Sequence, residues 1–196
     1  MAASKALAES DLSHFFKIIN EILHSAWDEY QSYPIALRVH HSPRSRATLV
    51  HDFIRRIVQE RFEGRSEVHL VNSRGLLLVN FFQKYLLRFK KLSRSGKPQN
   101  VPTNQTNLFN GQQMELPCMP EMPTCLVAGY QLDPLQKEIQ TCRILCPDGH
   151  LIRWDISLEE NLEATLQPIT IIDPTKPQKG RKVKPKNILP KSKNDE

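Results

Sequence analysis

Apolar residues recur at helical spacing in two stretches near the start of the chain. Residues 9–31 carry apolar side chains three or four positions apart, which predicts an amphipathic helix with Ser10 as its N-cap. Residues 42–62 repeat this spacing, with Ser42 as the expected N-cap and Pro43 at the first helical position. Two amphipathic helices are therefore predicted in the first third of the chain.

The apolar spacing changes to alternation from residue 66 onward. Alternating positions predict three strands between residues 67 and 92 and three more between residues 124 and 158. The short run 35–39 could be a strand or a bridge, and Thr103 is expected to cap a short helix between the two sets of strands. This order predicts an α+β fold, in which two N-terminal helices pack on a mostly antiparallel sheet of about six strands.

Residues 1–173 are expected to form a single domain, followed by a disordered basic tail at residues 174–196. The tail contains 8 basic and 2 acidic residues and too few apolar side chains to build a core. No secretory signal and no membrane-spanning run is recognised in the sequence. With 4 cysteines in 196 residues, the protein is expected to be reduced and cytoplasmic.

The positive charge is concentrated in one part of the chain. Residues 38–97, called the basic belt below, contain 14 Lys or Arg against 4 Asp or Glu, whereas residues 98–173 contain 3 against 10. This distribution predicts that the belt contacts nucleic acid or an acidic protein partner, and it gives no reason to expect a membrane partner.

The belt begins with a cluster of arginine and histidine. Arg44 and His51 are seven positions apart, close to two helical turns, so they are expected on one side of the second helix. Arginine binds phosphate through a two-pronged fork, and histidine exchanges a proton near neutral pH. With Arg46 and His41 they are candidates for a metal-independent RNA-cleaving centre, and both arginines are candidates for nucleic-acid binding. The alternative is that these groups cap the helix and pair with carboxylates such as Asp52.

The spacing from Arg46 to His51 also resembles the Arg-x4–6-His pattern of the HEPN ribonucleases. HEPN domains are all-helical, whereas about half of this chain is predicted as strand. The pattern therefore supports a ribonuclease hypothesis without supporting the HEPN fold.

A second basic group runs along the third predicted strand and into the loop that follows. If this strand lies at a sheet edge, its basic side chains could follow a phosphate backbone, with Phe89 available to stack on a base. The alternative is a solvated edge strand whose lysines prevent aggregation. The candidate nucleic-acid-binding residues of this group are Arg88, Lys90, Lys91, Arg94 and Lys97.

The four cysteines do not follow a known metal-site spacing. Cys118, Cys125, Cys142 and Cys146 are separated by six, sixteen and three residues, whereas zinc ribbons use two-residue gaps within each pair. Buried structural thiols are expected, and the sequence assigns no metal and no cofactor.

Four segments resemble an uncharacterised family of bacterial accessory-genome proteins over about residues 38–157. They read RFKKL, NVPTNQ, LPCMPEMPTCLVAGYQLD and ILCPDGHLIRWDISL. Such proteins are similar to components of toxin–antitoxin or phage-defence loci, often encoded beside a regulator protein. The resemblance implies a partner protein and a bacterial cytoplasm, and it assigns no catalytic residue.

Three functions remain open from the sequence. The preferred hypothesis is a binding component of a toxin–antitoxin or defence-type system that uses the basic belt. The alternatives are a small ribonuclease with His51 as the proton shuttle, and a protein-binding adaptor that uses residues 114–123. Geometry separates the first two, because a ribonuclease needs His41, His51 and one of the two arginines in a single cleft.

Overall fold

A computed structural model gives the fold of residues 2–73, 75–99, 101–114 and 122–160. All of these residues belong to one unit, Met1–Leu166. The predicted tail at 174–196 and the domain boundary at residue 173 lie outside the described residues.

The first helix begins earlier than its sequence signal suggests. Helix α1 spans Lys5–Gln31, and its N-cap Ser4 accepts a hydrogen bond on Oγ from the Leu7 N–H at 3.3 Å. Ser10 lies inside the helix and is not the cap, because the preceding alanines and leucine favour the helical state and Ala8 is fully buried. Within the described part of the chain, none of the helices has the length and apolar character that spanning a lipid bilayer requires.

Two further helices follow α1 after short connections. The run predicted as strand or bridge is instead a single helical turn, α2, at Ile35–Arg38, because a run this short carries no decisive periodicity. Helix α3 spans Pro43–Phe62 and begins as predicted, with the Ser42 Oγ accepting a hydrogen bond from the Ser45 N–H at 3.1 Å.

Six strands form one sheet in which the spatial order equals the chain order. All neighbouring strands are antiparallel except the central pair, β3 and β4, which is parallel. The short helix α4, Asn104–Asn110, is capped by Thr103 as predicted and lies in the connection between that pair. The strands are β1 Val68–Ser73, β2 Leu76–Phe81, β3 Tyr85–Lys91, β4 Thr124–Leu132, β5 Ile139–Asp148 and β6 Leu151–Ser157. The predicted α+β fold with a mostly antiparallel six-stranded sheet is confirmed.

Strand β3 lies inside the sheet, so the assumption that it forms a sheet edge is wrong for most of its length. It pairs with β4 from Tyr85 to Lys91, but its described pairing with β2 ends at Leu87. Beyond that point the loop folds back, and the Gln99 N–H donates to the Lys91 carbonyl at 3.1 Å. The last residues of β3 therefore have a flank that β2 does not cover.

Buried side chains lie on both faces of the sheet. The larger core lies between the sheet and helices α1 and α3, where the rings of Phe15 and Phe81 are 4.7 Å apart and those of Phe62 and Phe81 are 5.5 Å apart. A smaller core on the opposite face contains Phe109 of α4 and Leu86 of β3. The sheet therefore has a packed core on each face, and the end of β3 stays paired with β4.

Candidate anion-binding pocket

A cavity of about 620 Å³ lies between the first turns of α3, the end of β3 and strand β4. The cap at Ser42 sets where α3 begins and therefore which of its faces points at the cavity. Arg44, Thr48 and His51 follow at helical spacing and all line it. The prediction that Arg44 and His51 share a side of the helix is confirmed.

Two consecutive lysines complete the basic part of the lining. Consecutive residues of a strand normally point to opposite faces, yet Lys90 and Lys91 both line the cavity. Both lie at the end of β3, beyond its last described pairing with β2 at Leu87. Gln99 from the returning loop and Tyr130 from β4 close the opposite walls. We call this site the basic pocket.

The lining of the basic pocket concentrates positive charge, while Asp52, which adjoins His51 in α3, lies outside the lining. None of the described residues that line it is acidic, and none of the ion pairs among the described residues involves Arg44, Lys90 or Lys91. An anion entering the pocket would therefore meet cations whose charge no described carboxylate already balances.

The pKa values of three lining groups are lowered, because their charged forms are unfavourable in the unbound pocket. Burial and the nearby charge of Arg88 lower the pKa of Lys90 to about 8. Burial and the charge of Arg46 lower the pKa of Lys91. Burial, then the charges of Lys90 and Arg55, lower the pKa of His51. Each of these groups loses hydration and is repelled by another cation. A bound anion would offset both effects by favouring the charged form of each group.

Several other basic residues of the belt are already neutralised. Arg56 pairs with Glu29 and Glu60, and Lys84 lies 3.5 Å from the Asp11 carboxylate. Ion pairing thus offsets part of the positive charge that the sequence predicts for the belt. Among the described residues, the arginine and lysine side chains that line the basic pocket form no such ion pair.

Arg46 supports the pocket from behind. Its side chain is not part of the lining, but its Nη1 donates a hydrogen bond to Gln136 Oε1 at 2.8 Å, and Gln136 lines the cavity. The same guanidinium is close enough to Lys91 to lower its pKa. Arg46 therefore both positions a polar side chain and adds positive potential.

His41 does not join the predicted catalytic group. Its Nδ1 lies 3.3 Å from the Tyr30 hydroxyl, and its ring packs near those of Tyr30 and Tyr33. The basic pocket brings together Arg44 and His51 but not His41, so the three-residue convergence that the ribonuclease hypothesis requires is not found.

Arg88 and Phe89 are buried rather than presented to a ligand. Arg88 is 3% exposed, and its guanidinium lies over the ring of Phe109. Burial lowers the pKa of Arg88 to about 10. Phe89 is 2% exposed within the larger core, so its expected availability for base stacking is wrong. Both misplacements follow from treating β3 as an edge strand.

The last two belt candidates lie at other cavities. Arg94 is exposed and lines a cavity of about 160 Å³ that also includes Asp133. Lys97 is exposed beside a cavity of about 410 Å³, and its Nζ donates to the His150 carbonyl at 3.4 Å. Neither residue lines the basic pocket.

Sequence reasoning missed several lining residues. Thr48 sits between the two predicted residues of α3, and helical spacing alone could have included it. Tyr130 and Gln136 come from β4 and the turn after it, far along the chain from the belt. No local signal identifies them, because they reach the pocket only through the parallel pairing of β3 with β4.

Comparisons with known proteins supply no relative. No protein-family model matches the chain, no curated protein matches its sequence, and no solved structure matches its fold. The chemistry of the basic pocket is therefore inferred from the geometry and charge of this chain.

Proposed function

We propose that the protein binds nucleic acid by accepting a backbone phosphate in the basic pocket. The observation that carries this proposal is the convergence of Arg44, Lys90 and Lys91 on one cavity whose described lining has no acidic side chain. Lys90 and Lys91 are partly desolvated and each is repelled by a neighbouring arginine, so both gain from a partner of opposite charge. Phosphate fits both kinds of donor, since Arg44 offers a planar fork and lysine offers a compact charge.

The size of the pocket favours an unpaired nucleotide. A volume of about 620 Å³ exceeds what one phosphate group needs and leaves room for an attached sugar and base. Val101, which is 77% exposed, provides apolar surface beside the cations. A duplex presents its phosphates on a convex surface, whereas a single strand can direct one nucleotide into a cavity. We therefore infer single-stranded RNA or DNA as the ligand.

The biological setting is a further part of the proposal. The resemblance to accessory-genome proteins suggests a binding component of a toxin–antitoxin or phage-defence system, acting with a neighbouring regulator protein. Measuring bacterial growth during expression, with and without the neighbouring gene, would test this. No effect on growth in either arm would count against a toxin–antitoxin role and leave nucleic-acid binding to be judged separately.

Fluorescence anisotropy with a labelled single strand, repeated over a salt series, tests the binding proposal. Lys91→Ala and Arg44→Ala should each weaken binding to all sequences alike. Each should also lower the slope of log affinity against log salt by about 0.7, the value for one lost phosphate contact on a single strand. Lys84→Ala is the matched control, because Lys84 lies in the belt but pairs with Asp11 outside the pocket.

One result would contradict nucleic-acid binding, and a second would contradict the role of the pocket in it. One is wild-type protein that shows no salt-dependent binding to RNA or DNA. The other is an equal loss of affinity in Lys84→Ala and Lys91→Ala, which would indicate general surface charge rather than the pocket. The pocket would then be assigned to an acidic protein partner, which the same cations could bind through carboxylates.

A ribonuclease remains a second candidate because Arg44 and His51 share the pocket. A clamp for phosphate and a proton-exchanging group are both needed for cleavage without a metal. His41, the second acid–base group of that hypothesis, contacts Tyr30 instead. The adaptor hypothesis concerns residues 114–123, most of which lie outside the described part of the chain.

A further inference from the structure

Three metal-binding side chains from separate elements meet beside the larger core. His24 lies on α1, Cys142 on β5, and Glu159 just after the end of β6. Their ligand atoms all lie within 4.8 Å of one another. We propose that His24, Cys142 and Glu159 bind a single zinc ion.

The separation of two of these ligand atoms is close to what zinc requires. The Cys142 Sγ and the His24 Nε2 are 3.8 Å apart. Zinc binds a thiolate at about 2.3 Å and an imidazole at about 2.0 Å, so tetrahedral geometry places the two ligand atoms about 3.5 Å apart. The Glu159 carboxylate lies within 4.8 Å of both atoms, so the three side chains would move closer together to surround the ion.

The chemistry of the three ligands selects the metal. Sulfur and imidazole nitrogen together favour zinc over calcium or magnesium, which prefer oxygen ligands. When zinc binds, the Cys142 thiol proton leaves to solvent and a sulfur–zinc bond forms, with no change of oxidation state. One thiolate and one carboxylate then balance the two positive charges of the ion. Three protein ligands leave a fourth position for water.

Glu159 is held in place by hydrogen bonds that leave room for the ion. Its Oε1 accepts from the Cys142 N–H at 2.6 Å, and its Oε2 accepts from the Ser157 hydroxyl at 3.4 Å. Each carboxylate oxygen has further lone pairs after accepting one hydrogen bond. Such supporting contacts orient ligands in known metal sites.

A cysteine nucleophile activated by His24 is the competing interpretation of the same cluster. Cys142 is fully buried, and burial together with the adjacent Glu159 carboxylate raises the pKa of its thiol. A reactive cysteine needs the opposite environment, with access to substrate and positive charge nearby. The cluster therefore fits a metal site better than a nucleophile.

Cobalt titration of the full-length protein tests the proposal, since Co²⁺ reports thiolate ligation by a near-ultraviolet charge-transfer band and tetrahedral geometry by visible bands. We expect one equivalent to bind, competed by zinc, and the melting temperature to rise with zinc concentration. Cys142→Ser should abolish the charge-transfer band, and His24→Gln should weaken binding by more than about 100-fold, since even an outer-shell partner is worth about 10- to 100-fold.

Cys146→Ser is the matched control, because Cys146 is also buried on β5 but lies outside the cluster. It should keep the band and the affinity of the wild type. The proposal fails if the wild type gives no charge-transfer band, or if the band survives Cys142→Ser. If Cys142→Ser does not fold, an unchanged affinity in His24→Gln still overturns the proposal.

Discussion

The guanidinium carbon of Arg88 lies 5.0 Å from the centre of the Phe109 ring. This contact joins the interior strand β3 to helix α4 in the smaller core. A buried cation over an aromatic face supports the fold rather than a ligand.

Arg88→Ala is therefore expected to lower the free energy of unfolding by about 2 kcal/mol, through the lost cation–π contact and lost packing. Nucleic-acid affinity and its salt slope should stay at wild-type values under conditions where the variant is folded. Urea denaturation and fluorescence anisotropy measure the two effects. A reduced salt slope with unchanged stability would place Arg88 in the binding surface instead.

Lys90→Met should raise the stability of the protein and weaken nucleic-acid binding, in contrast to Arg88→Ala. Burial and Arg88 make the charged form of Lys90 unfavourable in the unbound protein. Removing that charge at pH 7 is expected to raise the free energy of unfolding by about 1 kcal/mol after allowance for solvent screening, while nucleic-acid affinity falls. Urea denaturation at pH 7 checks the stability, and the Lys84→Ala variant serves as the control for binding. Weaker stability together with weaker binding would mean that Lys90 has a structural role.

Binding should depend on pH near 8. The pKa of Lys90 is about 8 in the unbound protein, and the charged form binds the anion. Affinity is therefore expected to fall as the pH rises from about 7 to 9, whereas an ordinary lysine would stay charged to about pH 10. Anisotropy at constant ionic strength measures the change.

Lys90→Arg provides the comparison for this pH profile, because arginine stays charged over the whole range. The fall in affinity between pH 7 and 9 should become smaller in this variant. Lys91 also has a lowered pKa, so some pH dependence should persist. Identical profiles for the wild type and Lys90→Arg would show that Lys90 does not contact the ligand.

His51→Ala separates the binding and cleavage hypotheses. If His51 moves a proton during RNA cleavage, its loss should reduce the rate by about 100- to 10,000-fold, and wild-type cleavage should persist in a zinc chelator. Gel analysis of labelled RNA measures this. On the binding hypothesis, wild-type protein leaves the RNA intact and His51→Ala changes affinity less than about threefold, because the lowered pKa keeps the imidazole neutral at pH 7.

The elements were largely predictable from local sequence patterns, whereas the sites were only partly so. Helix α3 and its cap follow from Ser42-Pro43 and an apolar stripe, and these also place Arg44 and His51 on one face. The contribution of Lys90 and Lys91 depends on where β2 stops pairing with β3. No local pattern encodes that end point, because it depends on pairing between strands across the sheet.

The residues of the proposed zinc cluster are even less predictable from local sequence patterns. Cysteine spacing argues against a ribbon-type site, and it contains no information about His24, which lies on α1. Cys142, His24 and Glu159 come together only when α1 packs across the sheet. Ligand sets assembled from three distant segments cannot be read from spacing rules, which describe loops that bind metal locally.

The parallel pairing of β3 with β4 has a consequence for how the chain folds. It joins two antiparallel three-stranded units, each connected by short turns, across the connection 92–123, which contains α4. Closing that connection costs chain entropy before any contact compensates, so the central pair should form last. A methyl group at Gly129 of β4 would collide with Leu92 across this seam. Gly129→Ala should therefore accelerate unfolding much more than it slows refolding in stopped-flow experiments, and a mainly slower refolding rate would instead make the seam the nucleus of the fold.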